Sequence, residues 1–154
     1  MNSGYLGDKT PKLGFGLMRL PMIGDEIDME QVKSVVDKFM EKGFTYFDTA
    51  YVYITGKSEV AAREAIVKRY PRDSFTLATK LPLWDEVETE ADMQKIFDES
   101  MARAGVEYFD YYLVHDLCNS RRALARKARV FEFIAQKKEA GLVKRMGFSF
   151  HDTA

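Results

Sequence analysis

The sequence predicts an α/β fold in which parallel strands alternate with helices. Segments with the spacing of amphipathic helices alternate with short apolar or aromatic segments along the whole chain. In addition, three predicted helices stop at a glycine that stands directly before a strand, at Gly43, Gly105 and Gly141. Alternation in this order favours a parallel sheet with right-handed crossovers.

Five strands are predicted, all short and rich in apolar residues. They cover residues 12–21 (KLGFGLMRLP), 44–48 (FTYFD), 75–80 (FTLATK), 110–115 (DYYLVH) and 142–148 (LVKRMGF). The first contains Gly14 and Gly16, which favour a bend, and the others are rich in aromatic and branched residues typical of buried strands.

Four helices are predicted between these strands, at residues 28–42, 58–69, 89–104 and 126–140. The first has apolar residues every three or four positions from Met29 to Met40, so one stripe faces a core. Asp28, Ser58 and Thr89 stand where a side-chain oxygen can cap a helix N-terminus.

Length and composition indicate a single globular domain that lies in the cytoplasm. The chain has 154 residues, with 23 basic and 24 acidic side chains, so its charge favours neither nucleic acid nor an anionic membrane as a partner. The one cysteine, Cys118, excludes an intrachain disulfide. Cys118 and His115 without further ligands make a poor metal site, so no metal is expected.

Four polar residues occur at a regular spacing near the ends of successive predicted strands. Asp48, Lys80, His115 and Ser149 are separated by 32, 35 and 34 residues. One strand–helix–strand unit takes roughly 30 residues, so each step advances by one strand. Taken singly, Asp48 is more often a cap than a catalyst, Lys80 is usually just exposed, His115 could be a core residue, and Ser149 indicates almost nothing. Their regularity predicts that they meet at one edge of the sheet.

The same residues lie in motifs that resemble those of the aldo-keto reductase family. Residues 47–53 (FDTAYVY) followed by 56–59 (GKSE) resemble the family signature, and 77–80 (LATK) and 112–115 (YLVH) match its next two motifs. Residues 146–149 (MGFS) resemble the fifth-strand motif, after which the family usually has asparagine and this chain has Phe150.

This resemblance implies a partial (β/α)8 TIM barrel. A complete barrel takes roughly 250 residues, so residues 1–154 are expected to be the N-terminal part of the barrel domain, truncated after the fifth strand. The fragment is expected to self-associate, because its first and fifth strands have open edges.

The resemblance also implies an oxidoreductase that transfers a hydride between a nicotinamide cofactor and a carbonyl compound or an alcohol. NADP is favoured over NAD, and the substrate partner is a small carbonyl molecule. The implied catalytic tetrad is Asp48, Tyr53, Lys80 and His115. The implied cofactor-binding residues are Gly16, Leu17, Met18, Arg19, Asp48 and Ser149. Trp84 and His115 are the implied substrate contacts, although Trp84 is as readily a lid-packing residue.

The residue types of this tetrad suit carbonyl reduction. A tyrosine hydroxyl, with an ordinary pKa of about 10, is a reluctant proton donor near neutral pH, and a neighbouring ammonium favours its phenolate. Lys80 would supply that charge, Asp48 would hold Lys80, and His115 would orient the substrate oxygen. The spacing alone does not distinguish Tyr53 from Tyr51, and the family motif selects Tyr53.

Two other functions remain open on the sequence alone. Lys80 at a strand end is compatible with a Schiff-base lyase, in which its amine attacks a carbonyl carbon. Alternatively, the chain is a non-catalytic assembly module from a truncated barrel, and its tetrad is merely inherited.

Overall fold

The computed structural model describes residues 11–84 and 87–153. Its strands are β1 (Gly14–Gly16), β2 (Met22–Ile23), β3 (Glu26–Ile27), β4 (Tyr46–Asp48), β5 (Thr76–Pro82), β6 (Phe109–Leu117) and β7 (Val143–Phe150). Its α-helices are α1 (Met29–Glu41), α2 (Lys57–Ala62), α3 (Glu90–Ala104), α4 (Arg122–Lys127) and α5 (Val130–Glu139). Short 3-10 turns lie at Tyr53–Gly56, Arg72–Ser74 and Asn119–Arg121, and a π-helical turn at Arg63–Val67 continues α2.

Five of the strands form one parallel sheet in the order β1-β4-β5-β6-β7, which is also their order along the chain. Each strand therefore lies beside the next one, as in an arc of a (β/α)8 barrel. The predicted α/β fold with about five parallel strands is confirmed. The carboxyl ends of all five strands meet at one edge of the sheet.

The prediction of four helices is wrong at the fourth. In place of one helix over 126–140, α4 and α5 meet at Arg129, whose φ of 55° is left-handed and interrupts helical geometry. The sequence contains no glycine or proline at that point to announce the break.

The β2–β3 hairpin was also absent from the prediction. Gly24, with a φ of 60°, lies in its turn. A glycine followed by an aspartate between short apolar segments is a hairpin signal, and it was available in the sequence.

Helix termini follow local sequence at α1 and α3. The Asp28 carboxylate accepts a hydrogen bond from the backbone N–H of Gln31 at 3.0 Å, and Thr89 forms a reciprocal capping box with Asp92. The prediction that Ser58 caps α2 is wrong, because Gly56 is the N-cap residue and Ser58 lies buried inside the first turn.

The apolar core lies between the sheet and its helices. Its largest fully buried side chains are aromatic, and Phe97 of α3 packs edge-on against Tyr112 of β6 with ring centroids 5.0 Å apart. Full burial of such a side chain contributes about 1.5–3 kcal/mol. This packing fixes α3 against β5 and β6, which carry two of the predicted site residues. No helix in the described residues is long and apolar enough to cross a membrane.

Candidate active site

The sheet register brings three of the predicted site residues close together. Lys80 and His115 each lie two residues further along the strand than the partner of the site residue before them. Asp48 pairs with Ala78, which lies two residues before Lys80. Lys80 pairs with Leu113, which lies two residues before His115. Such a stagger between neighbouring parallel strands accompanies the tilt of strands in a barrel. Asp48, Lys80 and His115 therefore lie on three adjacent strands at the carboxyl edge of the sheet.

Lys80 is buried and is held by two oxygen acceptors. Its ammonium forms an ion pair with the Asp48 carboxylate and donates a second hydrogen bond, 2.8 Å long, to the backbone carbonyl of Thr49. A buried charge is tolerated only with a partner and further hydrogen bonds, and Lys80 has both. The Lys80 Nζ atom is consequently held in place by Asp48, the last residue of β4, and by Thr49, which follows it.

Tyr53 lies beside both Lys80 and His115. The Lys80 Nζ atom is 4.6 Å from the centroid of the Tyr53 ring, and the rings of Tyr53 and His115 meet edge-on with centroids 5.5 Å apart. Tyr51, in contrast, donates its hydroxyl hydrogen to Glu99 of α3 at 2.6 Å. The structure therefore separates the two tyrosines that sequence spacing left equivalent.

The backbone immediately after Tyr53 has an uncommon conformation. Ile54 and Thr55 have φ values of 50° and 53°, in the left-handed region, and Gly56 follows with a φ of 83°. Non-glycine residues in this region cost of the order of 1–3 kcal/mol each and persist where the surrounding structure imposes them. This turn follows Tyr53 directly and leads the chain into α2.

His115 is 8% exposed, and its Nδ1 atom has no hydrogen-bond partner among the described residues. Burial lowers its pKa to about 4, and the positive charge of Lys80 contributes to the same shift. The imidazole is therefore neutral near pH 7, so it can donate a hydrogen bond without carrying a charge.

Ser149 lies opposite an irregularity in β6. The pairing of β6 with β7 shifts between Val114 and Leu117, and Asp116 at this bulge has a φ of 52°. The Asp116 N–H donates to the Ser149 Oγ at 2.8 Å. This bond uses the oxygen of the serine and leaves its hydroxyl hydrogen free to donate. Phe150, at the position where the family usually has asparagine, provides no amide.

Trp84 follows β5 and packs edge-on against His115, with ring centroids 5.2 Å apart. The Arg121 guanidinium lies over the Trp84 ring at 5.4 Å from its centroid. Trp84 thus forms a wall beside the imidazole, an arrangement compatible with both predicted roles, substrate contact and lid packing.

The four residues from Gly16 to Arg19 differ in how they can contribute to the site. Gly16 ends β1, and no atom lies within 4 Å of the place where its Cβ would stand. Leu17 has its side chain in the core and its carbonyl bonded to Ser58, whereas Met18 is 53% exposed and Arg19 is also exposed. Of the three residues that have side chains, Leu17 is therefore the least suited to contact a ligand with its side chain.

Sequence reasoning missed a group of buried polar side chains on the other face of the same strands. The group consists of Thr49, Ser58, Glu59 and Thr79, all fully buried. Burial raises the pKa of Glu59, and a hydrogen bond from Thr79 opposes that shift. The sequence signal for this buried group is the segment 56–59 (GKSE), from which only a helix cap at Ser58 was predicted. Among the described residues there is no cluster of three metal-ligating side chains.

Comparison with known proteins agrees with this geometry. The model of the aldo/keto reductase family matches residues 12–154. A probable aldo-keto reductase 1 from Glycine max is 29% identical over 95% of this chain, and 4-dihydromethyl-trisporate dehydrogenase from Mucor mucedo is 31% identical over 75% of it. The chain spans only 43% and 35% of those two proteins.

Solved structures show the same partial coverage. An aldo-keto reductase from Klebsiella pneumoniae in complex with NADPH is 26% identical, with a TM-score of 0.75 over 94% of this chain and 47% of the other. A second structure, of an aldo-keto reductase from Pseudomonas aeruginosa, has a TM-score of 0.80 at 20% identity and supports the fold alone. With its parallel barrel strands, its staggered polar residues and a family match over nearly all of its length, the chain belongs to the aldo/keto reductase family.

Proposed function

We propose that this chain is the N-terminal part of an NADP-dependent reductase that interconverts small carbonyl compounds and alcohols, with Tyr53 as the general acid and base. The observation that carries the proposal is the position of Tyr53, beside both the Lys80 ammonium and the His115 imidazole. Asp48 completes the group through its ion pair with Lys80. Family membership and the NADPH complex of the Klebsiella relative support the cofactor assignment.

Each residue of the group suits one part of carbonyl reduction. When bound, the nicotinamide supplies or accepts the hydride. Tyr53 donates a proton to the developing alkoxide, and the positive charge of Lys80 lies beside its ring. The neutral His115 donates a hydrogen bond that orients the substrate oxygen. In the direction of alcohol oxidation, the Tyr53 phenolate accepts the proton.

The described residues fit the nicotinamide end of the cofactor. The open space beside Gly16, the exposed side chains of Met18 and Arg19, and the free hydroxyl hydrogen of Ser149 all lie near the carboxyl ends of the strands. A flat ring and its carboxamide require such space and such a donor. We propose these residues, together with Asp48 and the backbone at Leu17, as the nicotinamide contacts.

Turnover requires more of the barrel than this chain provides. In barrels of this kind, the phosphate site is frequently built from loops after strands seven and eight, whereas the sheet described here has five parallel strands. We therefore propose that the chain alone binds the cofactor weakly and associates through its open strands.

The alternative of a Schiff-base lyase is disfavoured by the state of Lys80. A nucleophilic amine needs an unprotonated nitrogen, and the Asp48 carboxylate stabilises the charged form instead. The other alternative is a non-catalytic assembly module. A complete barrel containing such a module would show no reductase activity, whereas the proposed reductase would turn over.

The test is NADPH oxidation in the presence of simple aldehydes, measured for this chain alone and for a version extended to a whole barrel with the second half of a relative. We expect the extended version to turn over and the chain alone to show little or no activity. In the extended version, Tyr53→Phe should reduce kcat by at least about a hundredfold, the usual contribution of a general acid, while NADPH affinity is retained.

Tyr51→Phe is the matched control, because it removes a hydroxyl that is bonded to Glu99 outside the tetrad. Turnover by Tyr53→Phe within a few-fold of the parent would exclude Tyr53 as the acid. An inactive but well-folded extended barrel would favour the assembly module.

A further inference from the structure

The buried dipeptide Ser58–Glu59 at the start of α2 contacts the two strands that carry Asp48 and Lys80. Side chains alternate between the two faces of a strand, so the neighbours of Asp48 and Lys80 face the opposite side of the sheet. Those neighbours are Thr49 and Thr79, both fully buried. Each forms a side-chain hydrogen bond with one member of the dipeptide.

Ser58 connects the ends of β1 and β4. Its hydroxyl donates to the carbonyl of Leu17 at 2.9 Å and lies 2.7 Å from the Thr49 hydroxyl. A serine hydroxyl has a single hydrogen, so Thr49 is the donor in the second bond. The carbonyl of the same Thr49 accepts one of the two hydrogen bonds of the Lys80 ammonium. Ser58 therefore contacts the side chain of the residue whose backbone carbonyl holds Lys80.

Glu59 connects α2 to β5. The Thr79 hydroxyl donates to the Glu59 Oε1 at 2.6 Å, and Thr79 is the residue directly before Lys80. The other carboxylate oxygen of Glu59 has no hydrogen-bond partner in the described residues, and the Arg103 guanidinium faces it at 3.8 Å. A buried carboxylate is costly, and its placement here is not required by the apolar core around it.

We infer that Ser58 and Glu59 are positioning residues, which fix the Asp48–Lys80 pair from the opposite face of the sheet through Thr49 and Thr79. This role rests on the proposed function, because it makes these side chains responsible for the geometry of the proposed tetrad. Adjacent residues of one helix thereby set the relative position of two strand ends, and a shift of α2 changes the hydrogen bonds of Lys80.

The test measures the Lys80 ammonium directly by heteronuclear NMR of the chain labelled with ¹⁵N-lysine. Its signal is assigned by its loss in Lys80→Met. In Thr79→Val and in Ser58→Ala, the exchange of the ammonium hydrogens with water should accelerate roughly two- to tenfold, as expected from weakening one hydrogen bond. Thr79→Ser, which keeps the hydroxyl, should retain the exchange rate of the parent.

Ile66→Val is the control, because Ile66 is buried in the turn that follows α2 and packs in the apolar core. It should leave Lys80 exchange unchanged. Unaltered exchange in Thr79→Val or Ser58→Ala would overturn the inference, as would an equal acceleration in Ile66→Val. Either test variant suffices if the other does not fold. The measurement needs neither cofactor nor turnover, so its failure is distinct from a failure of the proposed function, which the NADPH assay reports.

Discussion

At the scale of single residues, the site combines a buried cation with a buried neutral base. The Lys80 ammonium forms an ion pair with the Asp48 carboxylate and donates a hydrogen bond to a backbone carbonyl. His115 lies close to that charge and is shielded from water, so its protonated form is disfavoured. These two side chains explain how one small region can hold both a charge and an uncharged hydrogen-bond donor at neutral pH.

The lowered pKa of His115 predicts a dependence of stability on pH. An unfolded histidine has a pKa of about 6.5, and the folded value is about 4. The unfolded chain therefore binds more protons between these values, so the contribution of His115 to stability is complete above pH 6.5 and is lost as the pH falls towards 4. Urea unfolding at pH 7, 6, 5 and 4.5 should show a falling free energy of unfolding.

The variant His115→Gln should reduce that fall, since glutamine does not titrate. His151→Gln replaces the exposed second histidine, whose charge contributes to the shift of the His115 pKa less than burial and Lys80 do, so it should reduce the slope less than His115→Gln does. An identical slope in the parent and in His115→Gln would show that other groups cause the dependence.

At the scale of elements, the ends of α3 follow local sequence closely. The Thr89 hydroxyl accepts from the Asp92 N–H at 3.2 Å, and the Asp92 carboxylate accepts from the Thr89 N–H at 2.9 Å. At the other end, Gly105 takes a φ of 66°, and a Cβ there would stand 2.8 Å from the Arg63 side chain. Both ends were predicted because capping depends on residues within one turn of the helix.

Removal of this cap should destabilise the protein. Thr89→Ala should lower the free energy of unfolding by about 1 kcal/mol, because the first turn of α3 loses an acceptor. Thr89→Ser keeps the hydroxyl and should stay close to the parent. The measurement is urea unfolding at pH 7, and equal values for both variants would show that the capping box contributes nothing.

The elements that sequence reasoning misjudged are those shaped by contacts from elsewhere. The 126–140 segment has helical spacing throughout, yet it divides at Arg129 without a glycine or proline. Serine is a residue type typical of helix caps, yet the Ser58 hydroxyl forms hydrogen bonds with residues 41 and 9 positions away along the chain. Partners at such separations are not visible in a local pattern.

At the scale of the whole molecule, the described sheet has two strands with a neighbour on one side only, β1 and β7. Next to the second of these open edges, several large apolar side chains face solvent. They are Met146, Phe148 and Phe150, each more than a third exposed. Open strands flanked by exposed apolar side chains favour pairing with another chain.

We therefore expect the purified chain to self-associate at micromolar concentration. Size-exclusion chromatography with light scattering should give a mass of a dimer or larger. Phe148→Ser, at a position that is 55% exposed on β7, should shift the distribution towards monomer. Ile23→Ser removes an apolar side chain that is 70% exposed on the β2–β3 hairpin, which is separate from the five-stranded sheet, and it should leave the distribution unchanged. A monomeric parent would contradict the prediction.

The sequence by itself determined the α/β class, the five parallel strands, the ends of α1 and α3, and the positions along the chain of Asp48, Lys80 and His115. These depend on periodicity, on capping within one turn and on the length of a strand–helix–strand unit, all of which are local or regular properties of a chain. The family motifs added the cofactor, and Tyr53 in preference to Tyr51.

Only the tertiary structure decided how the site residues meet. The stagger of Asp48, Lys80 and His115 is set by sheet register, and register depends on how whole strands pack. The backbone directly after Tyr53 forms a left-handed turn that the residue types Ile54 and Thr55 do not favour. The Ser58–Glu59 contacts join segments that are distant in sequence. A buried polar group needs a hydrogen-bond partner, and that partner can lie anywhere in the chain.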